Sequence, residues 1–105
     1  MFVLLVEFHV RAGRLAQFDR MTEELVRSLN ENEPDTLVYI SLADADAADS
    51  RVFVEVYRDE AAFDTHERSA HTVSFLSGRT ELLAGPPVVR RLADLGFGQV
   101  LRAVA

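Results

Sequence analysis

The sequence contains no cysteine, no tryptophan and no lysine among its 105 residues. The missing cysteine excludes disulfides, thiolate zinc sites and cysteine nucleophiles. It also fits a reducing compartment. The apolar run over residues 2–6 is shorter than the ~7–15-residue core of a signal peptide, and nothing approaches the ~18 apolar residues of a membrane span. We therefore expect a soluble, cytoplasmic protein that has no membrane partner.

Positive charge is sparse and dispersed. All eleven cationic residues are arginines spread along the chain, and the formal net charge is −6. Proteins that bind nucleic acids concentrate basic residues on one surface to displace counterions from phosphates. The composition therefore argues against a nucleic-acid partner.

The length suits one domain, which we place over residues 1–105, with a core at 2–92 and a C-terminal tail at 93–105. A domain of this size buries roughly two-thirds of its unfolded surface at best. An internal pocket would compete with the core for volume, and pairing with a second copy would relieve that competition. This is one reason to expect a homodimer.

The pattern of apolar residues predicts alternating strands and helices. Residues 2–10 read as a strand with one fully apolar face, and a helix follows to about Glu31. Strands are predicted at 36–43 and 51–58, joined by a long acidic loop, and a last strand at 88–92. Between them we predict a short helix over 60–67 capped by Asp59, and a second helical stretch that is capped by Ser69 and runs to about Leu83, with Val73 on its apolar face. The order βαββαβ is the α+β, ferredoxin-like arrangement with an antiparallel sheet.

Several short motifs occur in order on these elements. Glu33-Pro34-Asp35-Thr36-Leu37 leads into the second strand towards Tyr39, and Glu55-Val-Tyr57 ends the third strand. The helical region that follows carries Ala62-Phe63, His66, His71, Phe75, Leu82-Leu83 and Gly85-Pro86. Together they resemble the antibiotic biosynthesis monooxygenase family over roughly residues 2–92.

The resemblance implies a dimeric α+β barrel with a pocket between the sheet and the helices of each subunit. It also implies a cofactor-independent monooxygenase that oxidises a small quinol or anthrone-like aromatic with molecular oxygen, without metal or flavin. Haem-degrading members use an Asn, a Trp and a His ligand. The matching positions here hold Val6, His66 and Phe75, so haem degradation is not expected.

Such an oxidation needs a base, donors for the developing oxyanion and an apolar enclosure. We predict His66 as the base, because it lies on the same side of its helix as Phe63. Glu55 is predicted to hold and polarise His66, and Tyr57, which strand alternation places on the same face as Glu55, to complete the catalytic group.

Further pocket residues are predicted as substrate contacts: Tyr39, His71, Arg58, Phe63 and Phe75. His66 and His71 are five residues apart, which would turn their rings to different sides of one helix, so no metal site is expected.

Two alternatives remain open at this point. An isomerase branch of the family resembles the chain along the first strand and around Arg58, which would then hold a phosphorylated carbonyl substrate. The same residues would also suit a non-catalytic dimer that binds a small aromatic or carbonyl ligand, since buried His–carboxylate contacts often only join a helix to a sheet.

Overall fold

The first strand, β1, spans Phe2–His9 and alternates between buried and half-buried side chains, as a strand covered on one face does. In this computed structural model, residues 1–99 of the chain are described. The remaining elements follow in chain order: α1 (Leu15–Asn32), β2 (Thr36–Asp44), β3 (Ala47–Tyr57), α2 (Glu60–Arg68), α3 (Ala70–Arg79), a short 3-10 helix (Thr80–Leu82) and β4 (Val88–Leu92).

The four strands form one antiparallel sheet in the order β2-β3-β1-β4. This confirms the predicted α+β, ferredoxin-like fold. In the β3 register, Glu55 lies between Leu4 of β1 and Tyr39 of β2. A buried carboxyl therefore occupies an interior strand of the sheet, with a tyrosine as its direct cross-strand neighbour.

The helices cover one face of the sheet and enclose an aromatic core. Phe53 of β3 is fully buried, and its ring centroid lies 4.6 Å from that of Phe8 and 6.0 Å from that of Phe18. Phe75 of α3 closes the group, at 6.1 Å from Phe53. These contacts join the centre of the sheet to α1 and α3, so the space available to a ligand lies beside this core rather than within it.

The opposite face of the sheet is apolar as well. It carries Ile40 and Leu42 from β2 and Val88 and Leu92 from β4, which are exposed by 47%, 46%, 49% and 38%. Val54 of β3 is half-buried on the same face. Within residues 1–99 no helix packs against this surface, which we call the outer face.

Three local predictions are wrong. The predicted long acidic loop is a tight turn, because β2 and β3 extend to Asp44 and Ala47 and the Asp44 side chain accepts a hydrogen bond from the Asp46 amide. Ser69 does not cap α3 with its side chain. The apolar face of α3 also differs from the prediction, since Val73 is 50% exposed.

The predicted cap of α2 is confirmed. The Asp59 carboxylate accepts a hydrogen bond from the Ala62 amide and caps α2.

Beyond β4, Leu95 and Phe97 of the predicted tail are exposed, whereas its Val100, Leu101 and Val104 lie outside the described residues. Among residues 1–99, no helix is both long and apolar enough to cross a membrane.

Truncation of Phe53 tests the aromatic core. We expect Phe53→Ala to lower the free energy of unfolding by about 3–5 kcal/mol, because it leaves a cavity at the meeting point of three rings. Val73→Ala, on the exposed side of α3, should change it by less than about 0.5 kcal/mol. Urea unfolding at 25 °C measures both variants, and equal losses would show that Phe53 is not central to the core.

Candidate functional site

The C-terminal end of β3 carries a buried, hydrogen-bonded pair of side chains, Glu55 and Tyr57. The Tyr57 hydroxyl donates to Glu55 Oε1 at 2.6 Å, and both side chains face the helices. Alternation along β3 places Phe53, Glu55 and Tyr57 on the same face, with Phe53 filling the core. The prediction that Glu55 and Tyr57 share a face is confirmed.

Burial sets the protonation of this pair. Desolvation raises the pKa of Glu55 to about 7, the Tyr57 hydrogen bond lowers it, the Glu67 charge raises it and the Arg79 charge lowers it. Burial also raises the pKa of Tyr57 and of Tyr39, and the Glu55 charge raises each further. Both phenols are therefore neutral donors near pH 7, whereas Glu55 is divided between its acid and its carboxylate.

Arg79, at the C-terminal end of α3, supplies a positive charge to this region. Its guanidinium carbon lies 5.3 Å from the centroid of Phe8 and 6.0 Å from that of Phe75. Burial lowers the pKa of Arg79, while electrostatic interactions with Tyr39, Glu67 and Glu55 raise it. A cation held against aromatic rings inside the fold can stabilise an anion that forms nearby.

A second polar cluster, which we call the Glu33 cluster, comprises Glu33, His66 and His71. Glu33 Oε1 contacts His66 Nδ1 at 2.9 Å, and Glu33 Oε2 contacts His71 Nε2. The Thr36 hydroxyl donates to Glu33 Oε1 at 2.7 Å. Both carboxylate oxygens of the buried Glu33 therefore have hydrogen-bond partners.

Three elements meet at the Glu33 cluster, because Glu33 is the C-cap of α1 and the histidines come from α2 and α3. Burial raises the pKa of Glu33, but hydrogen bonds from Thr36, His71 and His66 together lower it below the ordinary value. Glu33 is accordingly a carboxylate at neutral pH.

The break between α2 and α3 brings the two histidines together. Ser69 has φ −67° and ψ 143°, an extended conformation that ends α2 and starts α3 in a new direction. In one continuous helix, residues five apart would point roughly 140° away from each other. The prediction that His66 and His71 face different sides is therefore wrong.

His66 lies between the two polar groups. Its ring centroid is 5.1 Å from that of Tyr57 and 5.5 Å from that of Tyr39, and the residue is 2% exposed. The prediction that Glu55 holds His66 is wrong, since His66 Nδ1 faces Glu33 and Glu55 is bonded to Tyr57. Tyr57 instead joins the groups, with its hydroxyl on Glu55 and its ring beside His66.

A cavity of about 220 Å³ opens between α1 and α3. His71 and Phe75, both predicted to contact substrate, line it. The other lining residues are Met21, Glu24, Leu25, Ser28 and Ser74. Its volume is below the ~300–1,000 Å³ typical of sites for drug-sized ligands, so it suits a small molecule. It brings the histidine side of the Glu33 cluster within reach of solvent.

The remaining predicted site residues lie apart from this cavity. Phe63 stacks on Phe2 at 4.5 Å and meets the Tyr57 ring edge-on at 5.3 Å, so it belongs to the core beside the pair. Arg58 is exposed and donates to Asp35 Oδ1 at 2.9 Å. Arg58 therefore lies outside the buried groups.

The sequence interpretation missed Glu33 and Arg79. Glu33 follows Leu25 and Leu29 at four-residue spacing, which places it on the buried face of α1. Arg79 follows Thr72 and Phe75 at helical spacing on the buried face of α3. A polar residue in phase with buried neighbours was the available signal for each of these positions.

Comparison with known proteins agrees with the fold and its motifs. The sequence profile described as antibiotic biosynthesis monooxygenase matches residues 1–76. No curated protein matches the chain.

Solved structures superpose closely. A crystal structure of an antibiotic biosynthesis monooxygenase has a TM-score of 0.82 at 20% identity, covering 90% of this chain and 99% of that one. Rv0793 from Mycobacterium tuberculosis gives 0.84 at 23% identity, with 93% and 98% covered. PA3566 from Pseudomonas aeruginosa gives 0.79 at 23% identity, with 90% and 93% covered. At these identities the structures establish the fold, and the matched profile, which spans more than half of the sequence, establishes the family. The chain belongs to the antibiotic biosynthesis monooxygenase family.

Proposed function

We propose that the protein is a cofactor-independent monooxygenase that oxidises a small quinol or anthrone-like aromatic. An anthrone loses a proton from its ring CH₂, whereas a quinol loses one from a phenolic O–H. The resulting anion passes electrons to O₂ as a bond forms between oxygen and the ring CH₂ or a ring C–H carbon. Cleavage of the O–O bond then leaves C=O on the ring and releases one water. Atoms and electrons balance with O₂ as the only oxidant, so the protein must supply a base and a site for the anion.

The observation that carries this proposal is the buried Glu55 carboxyl. A general base is most efficient when its pKa lies near the working pH. Glu55 meets that condition, because burial raises its pKa to about 7. Its neighbours Tyr57 and Tyr39 are aromatic and the residue is only 6% exposed, which limits competition from water.

The neighbours of Glu55 suit the second requirement. Tyr57 and Tyr39 remain protonated near neutral pH, since burial raises the pKa of each, and a phenol can donate to a developing oxyanion. Arg79 contributes a positive charge on the helix side of the same region. We assign Glu55 as the proton acceptor, Tyr57 as the residue that positions Glu55, Tyr39 as the donor to the oxyanion and Arg79 as the counter-charge.

His66 is the competing candidate for the base. It is enclosed by the two tyrosine rings, and its Nδ1 is engaged by Glu33, which leaves Nε2 as the only nitrogen that can accept a proton. The isomerase alternative gains no support at Arg58, where Asp35 pairs with the guanidinium and the Asp59 side chain caps the neighbouring helix end.

Oxygen consumption by chelator-treated protein, with a panel of quinols and anthrones, tests the assignment. We expect uptake above the uncatalysed rate, and a decrease in kcat of roughly 100-fold or more in Glu55→Gln. Glu31→Gln, an exposed acid on α1, should stay within about twofold of the wild type. If oxygen uptake is lost in His66→Gln but retained in Glu55→Gln, His66 rather than Glu55 is the base. No uptake with any compound would favour a non-catalytic ligand-binding dimer.

The pH dependence of stability offers an independent test of the Glu55 environment. Its pKa is about 7 in the fold against 4.5 in the unfolded chain, so the folded state binds the proton more tightly. The stability contributed by the neutral acid is complete below pH 4.5 and is lost as pH rises to about 7. Glu55→Gln, neutral at every pH, should therefore raise the melting temperature at pH 8 and change it little at pH 4. An equal shift at both pH values would mean that Glu55 ionises freely in the fold.

We also propose that the outer face mediates a homodimer. Exposed apolar patches rimmed by polar residues mark interaction surfaces, and this face is continuous across all four strands. A second copy placed on the same face would form the closed, symmetric arrangement that most oligomers adopt. Such a pairing leaves the helix side, with Glu55 and the cavity, facing away from the interface.

Two substitutions, at residues of similar exposure, test the dimer. Ile40→Asp on the outer face should convert the dimer to monomer in sedimentation velocity, because it places an unpaired charge in the interface. Val73→Asp, on a side chain exposed by 50% against 47% for Ile40, should leave the dimer intact. If neither variant dissociates the dimer, or if both do, the outer face is not the specific contact.

A further inference from the structure

We propose that the Glu33 cluster is a binding site for a divalent transition-metal ion such as Zn²⁺. This inference goes beyond the proposed oxidation, which uses Glu55 and needs no metal. The three side chains each offer one ligand atom, and these atoms lie within 4.8 Å of one another. Two imidazoles and one carboxylate form a ligand set that Zn²⁺ commonly takes in proteins, with a further position left for water.

The distances require little movement for coordination. Ligand atoms at tetrahedral zinc, with bonds of about 2.0–2.1 Å, are separated by about 3.3 Å. Glu33 Oε1 and His66 Nδ1 are 2.9 Å apart, and Glu33 Oε2 also contacts His71 Nε2. An ion entering between the carboxylate and the rings would replace the hydrogen bonds between the histidines and Glu33.

The surroundings have the features of an ordered metal site. The Thr36 hydroxyl donates to Glu33 Oε1, the oxygen that contacts His66 Nδ1. Groups of this kind orient the ligands of protein metal sites. The Glu33 and His66 side chains are only 5% and 3% exposed, which limits competition from water.

An entry path is also present. The His71 side chain is 17% exposed and lines the cavity between α1 and α3. An ion can reach the cluster there, and the open coordination position would face that cavity. A bound ion would join the end of α1 to α2 and α3, which are otherwise separated at Ser69.

The test uses the full chain with any affinity tag removed and all metal stripped by chelator. After incubation with ZnCl₂ and gel filtration, elemental analysis should find about one Zn²⁺ per chain, and calorimetry a dissociation constant below ~1 μM. Binding should raise the melting temperature by roughly 5 °C or more at excess metal. Retention of less than about 0.2 Zn²⁺ per chain would overturn the proposal.

Variants locate the site. His71→Ala, at the half-buried rim of the cluster, should weaken binding by ~100-fold or more, and Glu33→Gln should act in the same direction. His9→Ala is the matched control, because His9 is an exposed histidine paired with Glu7. Equal weakening by His9→Ala and His71→Ala would assign the ion to surface histidines and overturn the proposal.

Cobalt substitution supplies a readout that is separate from both stability and activity. Co²⁺ bound by two imidazoles and a carboxylate in four-coordinate geometry should give intense visible d–d absorption, lost in His71→Ala. Weak absorption typical of hydrated octahedral Co²⁺ would contradict coordination by the cluster. Since oxygen uptake is measured on metal-stripped protein, failure of this site leaves the proposed oxidation standing, and the reverse also holds.

Discussion

The Glu33 carboxylate determines how the three helices meet over the sheet. A buried charge is costly unless its hydrogen-bonding capacity is filled, and Glu33 fills it with Thr36 on one side and two histidines on the other. Those partners lie beyond the end of α1, on β2, α2 and α3. The position of α1 is thus linked to the break between α2 and α3, and the cavity between α1 and α3 follows from that geometry.

The Glu55–Tyr57 pair shows a different solution to burying an acid. Glu55 has one strong donor, the Tyr57 hydroxyl, and burial outweighs that hydrogen bond, so its pKa rises. Glu33 accepts three hydrogen bonds, and its pKa falls despite burial. Two glutamates in one small interior are therefore tuned in opposite directions by the number of donors that each receives. This contrast supports separate roles, with proton transfer proposed at one and ion binding at the other.

Much of the fold could be predicted from local patterns. Alternation in β1 and the three- and four-residue spacing in α1 depend on burial of one face, which the sequence records directly. The outer face was also predictable in kind, because Val3 and Leu5 required cover on the second face of β1. The short turn between β2 and β3 was missed, since the acids at 44–49 resemble a loop even though most of them lie on paired strands.

The site was harder to predict, because it depends on contacts between elements. Glu55, Tyr57 and Tyr39 could be grouped from strand alternation and antiparallel pairing. The partner of His66 could not, since the choice between Glu55 and Glu33 depends on the angle at which α2 leaves β3. The direction change at Ser69 likewise has no strong sequence signal, as the Ser69 side chain bonds back to the Thr65 carbonyl rather than capping α3.

Helix α3 has His71 near one end and Arg79 at the other, about 12 Å apart at 1.5 Å per residue. His71, at one end, contacts Glu33, while the guanidinium at the other end lies beside Phe8 and Phe75 and interacts electrostatically with Glu55. A single helix therefore carries a contact to each of the two glutamates, although they lie in separate clusters.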